Sequence, residues 1–75
     1  MNPQRETELK TILAQLEDLN QRLALLQEQE ENAKMILPKK SPERKAADER
    51  IDAIDDAYDS VTDAIHSLEE LFEEA

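Results

Sequence analysis

The sequence predicts an all-α fold: a two-helix antiparallel hairpin that pairs with a second copy into an antiparallel four-helix bundle. Three observations carry this expectation. Two long stretches repeat apolar residues at alternating steps of three and four, the spacing of a helical seam. Between them, Pro38-Lys-Lys-Ser-Pro42 breaks the chain near its middle. The chain also contains no Gly, which hairpin strands, phosphate-cradling loops and close backbone approach to ligands call for.

The first helix begins at Asn2-Pro3, an N-cap residue followed by proline at the first helical position. From there Leu9, Leu16 and Leu23 take heptad position a, and Ile12, Leu19 and Leu26 take d. Continuing the frame puts Glu30 at a, Ala33 at d and Leu37 at a. Leu13 flanks this seam at e, and Leu25 stands off it at c. Pro38 forces the residue before it out of helical geometry, so this helix covers 3–36 and the turn 37–41.

Ser41-Pro42-Glu43 restarts a helix over 42–75 with a hydroxyl cap, an early proline and an acid in the first turn. Its seam runs without a slip: Ile51, Tyr58, Ile65 and Phe72 at a, with Ala47, Ile54, Val61, Leu68 and Ala75 at d. A further row, Ala57, Ala64 and Leu71, repeats at g. Each arm is roughly 50 Å long at 1.5 Å per residue, and so short a connection makes the arms antiparallel neighbours. With the turn centred near Lys39-Lys40, Leu26 faces Ile54, Leu19 lies near Val61 and Ile12 near Leu68. Glu30 then falls opposite Arg50, and Arg5 near Glu73 and Glu74.

Two packed helices cover one narrow stripe each, less than this chain's apolar side chains need. Leu13, Leu25, Ile36, Ala57, Ala64 and Leu71 therefore form the expected self-association set, and a homodimer is the economical way to bury them. With Met35 and Leu37, the first three of these could alternatively line a groove for a partner helix. Charge sets the expected orientation. Residues 34–50 carry six basic and three acidic side chains, whereas residues 51–75 carry nine acids and no Lys or Arg. Hairpins stacked with turns at opposite ends bring each basic turn beside acidic termini. Arg44 and Lys45 at the start of the second helix, and Glu69, Glu70, Glu73 and Glu74 at its end, oppose the helix dipole, which suggests that these charges answer to something outside that helix.

The net charge of −10 speaks against direct nucleic-acid or anionic-membrane binding, since both require surplus cations. No apolar run approaches a membrane span, and no basic-then-apolar leader pattern is present. Without Cys there are no disulfides or thiolate metal sites, and a cytoplasmic location is expected. Asp63-x-x-His66 has the spacing of a carboxylate–histidine ligand pair, but positions f and b point both outward, as a solvated histidine. Asp52, Asp56, Asp59, Asp63, Glu70 and Glu73 share one helix face. They form either a solubilising outer surface or a ladder imitating nucleic-acid phosphates, as in acidic inhibitors of the phage or mobile-element type.

Glu28-x-x-Glu31 and Asp52-x-x-Asp55 together resemble the paired acidic motifs of the all-α nucleotide pyrophosphatases. That resemblance implies Mg²⁺ held between facing helices and a metal-dependent nucleotide hydrolase. The likeness covers four residues and departs from the pattern at its second motif, where both acids are Asp; Glu28, Glu31 and Asp52 map to outward positions. From the residues themselves, the expectation is a non-enzymatic protein-binding module with no cofactor or metal. Its partners would be its own copy and a protein bound at the apolar groove or the acidic face.

Overall fold

A computed structural model of the protein describes residues 2–74, with Glu74 as backbone only. Helix α1 spans Pro3–Met35 and helix α2 spans Pro42–Glu74. They fold back on each other as an antiparallel hairpin whose Cα trace measures 55 × 14 × 14 Å. The ends fall within a residue of the sequence boundaries, and Ala75, the last d position assigned above, lies outside the described residues.

Each end of this hairpin is made by the chemistry its sequence announces. Asn2 is extended (φ −64°, ψ 135°) and its Oδ1 accepts from the Gln4 N–H at 2.8 Å. The Glu6 N–H then donates to the Asn2 carbonyl at 2.9 Å, the first α-helical bond. At the other end of α1, Ile36 caps the helix, and the Leu37 N–H donates to the Lys34 carbonyl at 3.0 Å. This i→i+3 bond tightens the last turn before Pro38 forbids its continuation.

The turn is closed largely by two side chains. Ser41 Oγ accepts from the Arg44 N–H at 3.2 Å and donates to the Pro38 carbonyl at 2.9 Å. Arg44 reaches back with Nη1 to the Leu37 carbonyl at 3.1 Å. Arg44 thus has an internal partner: it satisfies a carbonyl left over at the end of α1, which offsets its unfavourable place at the start of α2. Ser41→Ala removes both the cap and the brace. Its expected cost is about 1 kcal/mol, read as a lowered urea midpoint with unchanged slope, whereas Lys39→Ala, on the exposed side of the same turn, should change little.

The helices meet along rows that only partly match the seam expected on α1. On α2 the a and d rows face inward as expected: Ala47, Ile51 and Ile65 are buried, and Ile54, Tyr58, Val61, Leu68 and Phe72 are half-buried. On α1 the half-buried row is Leu9, Leu13, Leu16, Asn20, Leu23, Gln27, Glu30 and Lys34, which is a and e. The expected d residues Ile12, Leu19 and Leu26 are instead 39, 45 and 44% exposed.

Polar pairing at e explains this rotation of α1. Asn20 Nδ2 donates to Thr62 Oγ1 at 2.9 Å, and Lys34 pairs with Asp48; all four residues sit at e. In an antiparallel pair, e lies beside e and g beside g, so these contacts define one edge of the hairpin. Glu30 meets Arg50 at 3.1 Å between Oε2 and Nε, as the facing arithmetic requires. Toward the free end, Lys10 Nζ stands over the Phe72 ring, 5.8 Å from its centroid, within cation–π range. Among the described residues no ion pair joins Arg5 to Glu73.

Candidate protein-interaction surface

A helix turns about 100° per residue, so the d row of α1 lies about 80° round from the a/e row that faces α2. Because the e rows are paired at one edge, Ile12, Leu19 and Leu26 come to lie toward the other, beside the g row of α2. Leu26 is level with Ala57, Leu19 with Ala64, and Ile12 with Leu71. Leu71 is 42% exposed, Ala57 is exposed and Ala64 half-buried. Together these residues make one broad face of the hairpin apolar, and neither helix covers it. Shallow grooves along α1, one of them walled by Leu19, Leu23, Leu25 and Leu26 together with Arg22 and Gln29, have no α2 residue in their walls.

The expected self-association residues therefore fall in three places. Ala57, Ala64 and Leu71 lie on this open face. Leu13 is half-buried on the e edge, in a cleft with Lys10, Glu69 and Phe72, so the hairpin itself uses it. Leu25 (56% exposed) points away from α2, and Ile36 (85% exposed) projects at the turn beside Met35. The sequence reading missed Ile12, Leu19 and Leu26 as candidates, because it had placed them in the intramolecular seam. The signal that marks them is indirect: Asn20, Lys34, Asp48 and Thr62 are mutually compatible polar residues that all share position e.

The opposite surface is anionic. Asp52, Asp56, Asp59, Asp63, Glu70 and Glu73 are all exposed along the back of α2, at b and f, away from the apolar face. His66 stands exposed among them. Of the two acidic pairs, Glu28, Glu31 and Asp52 are exposed and Asp55 is half-buried. Among the described residues no three His or carboxylate side chains are grouped to hold a metal ion. No described helix is long and apolar enough to cross a membrane.

Comparison with protein-family models, with curated proteins and with solved structures finds no match to this chain.

Proposed function

We propose that the chain is a non-enzymatic protein-binding module that works as a self-associating helical hairpin, two copies forming a four-helix bundle. The observation that carries this reading is the incomplete burial of α1. Among the described residues none of α1 is buried, and the buried core consists of Ala47, Ile51 and Ile65 of α2. The accessible surface is 5876 Å², against about 4,700 Å² expected for a globular monomer of this mass. Two hairpins compacted into one globule of double mass would hide up to about 4,000 Å² in total, within the range of permanent dimers.

Sedimentation equilibrium tests the reading. The expected result at micromolar concentration is a particle of twice the 8.6 kDa chain mass. A monomer of unchanged helicity across that range contradicts it.

The exposure of all six carboxylates on the back of α2 supports a second reading, an acidic inhibitor that occupies the basic groove of a nucleic-acid-binding protein. Its signature is binding to a cationic DNA-binding protein that disappears by about 0.5 M salt, where the Debye length is only a few ångströms. Binding that persists at that salt counts against mimicry.

A further inference from the structure

We propose that the second copy docks on the face formed by Ile12, Leu19 and Leu26 of α1 with Ala57, Ala64 and Leu71 of α2, its turn at the opposite end of the bundle. This assignment rests on the self-association read above and adds the docking face and the level of the two-fold axis. The dyad passes through the level of Leu19 and Ala64, so that α1 crosses its own copy and α2 crosses its own copy.

Three features select this arrangement. Leu19 is the middle residue of α1, which spans Pro3–Met35, and Ile12 and Leu26 lie one heptad to either side. The row is thus self-complementary under a two-fold axis at Leu19: each Ile12 meets Leu26 of the copy. On α2 the same axis sets Leu71 against Ala57 and Ala64 against Ala64, a large residue into a small one with close approach at the centre. Turns at the same end would instead set Ile12 over Leu71 and Leu26 over Ala57, crowding one end and leaving the other thin.

Charge is the third feature. Lys39, Lys40 and Lys45 are exposed at the turn, and Glu69, Glu70 and Glu73 are exposed at the free end. Opposed turns keep each set away from its own copy, with the lysines roughly 15–24 Å along the axis from the copy's glutamates, whereas turns at one end stack like charges. The acidic back of α2 remains outside this dimer, so the same particle keeps its anionic surface free. Asn20, Thr62, Lys34 and Asp48 keep the e edge polar and direct the copy to the other side.

The test uses the full chain, which has no Cys, carrying Lys40→Cys with a nitroxide spin label at the exposed turn. Opposed turns give an intradimer distance of roughly 60 Å, twice the ~30 Å from Leu19 to the turn at 1.5 Å per residue. A distance below ~30 Å overturns the orientation while leaving self-association intact. No dipolar distance together with a monomer mass overturns both. Leu19→Glu checks the face: because Leu19 is already 45% exposed in the hairpin, helicity should survive while the dimer weakens about 100-fold or more. A Leu19→Glu chain that keeps its helicity and its undiminished ~60 Å dimer removes Leu19 from the interface.

Discussion

Ile65→Asp is expected to abolish cooperative helical folding, while His66→Asp, one residue along, leaves it intact. Ile65 is 8% exposed at the inward a position of α2, and His66 is exposed on the back. Burying an unpaired carboxylate costs several kcal/mol, and the lost isoleucine forfeits another ~1.5–3 kcal/mol of apolar burial. A domain of this length has a total stability of about 4–11 kcal/mol, so one such substitution is enough to unfold it. An aspartate at the adjacent exposed site costs about 0.5 kcal/mol or less. Far-UV circular dichroism through a thermal melt separates the two variants. Equal melts would mean that the α1–α2 interface is not what holds the helices.

Thr62→Val and Asn20→Leu are expected to shift stability in opposite directions, although each removes the same hydrogen bond. Thr62 Oγ1 accepts from Asn20 Nδ2 and donates to the Tyr58 carbonyl, both at 2.9 Å. The other amide atom, Asn20 Oδ1, is buried without a hydrogen-bond partner. Valine at 62 strands the remaining end of a half-buried amide and should destabilise by about 1–3 kcal/mol. Leucine at 20 removes the poorly satisfied amide altogether and should stabilise by about 1–2 kcal/mol.

The stabilised Asn20→Leu chain should nevertheless be the less specific one. With leucine at position 20, the e edge becomes apolar alongside Leu13, and a second docking side opens. A polar residue in a helical interface commonly fixes register and copy number at a cost in stability. Urea midpoints read the first effect, and sedimentation reads the second as species heavier than a dimer. Asn20→Leu that lowers the midpoint, or raises it and remains strictly dimeric, would deny Asn20 its specifying role.

The amino-acid pattern reveals the architecture because its signals are local. Asn2-Pro3, Pro38 and Ser41-Pro42 act within a few residues, and their caps form where the chain order puts them. The Glu30–Arg50 contact follows from the turn position alone. The rotation of α1 was not legible from apolar spacing: Leu9, Ile12, Leu16, Leu19, Leu23 and Leu26 form an uninterrupted a/d series that reads as a single seam. In the folded hairpin that series divides, with Leu9, Leu16 and Leu23 facing α2 while Ile12, Leu19 and Leu26 turn to the open face. Which half goes where depends on pairings between distant residues, Asn20 with Thr62 and Lys34 with Asp48. A one-helix periodicity count does not contain that information. The acidic back was legible residue by residue, because a charge run on one face needs no partner to stay outside.

The most direct test of a covered α1 face is methyl NMR of the isoleucine- and leucine-labelled chain with a soluble paramagnetic probe. Ile36, 85% exposed at the turn and outside the row of Ile12, Leu19 and Leu26, is the internal standard. Ile12, Leu19 and Leu26 should be strongly shielded relative to Ile36 at concentrations where the particle has twice the chain mass, and should lose that shielding on dilution. Methyl signals of Leu19 and Leu26 that bleach as fast as Ile36 in the assembled particle would contradict the account.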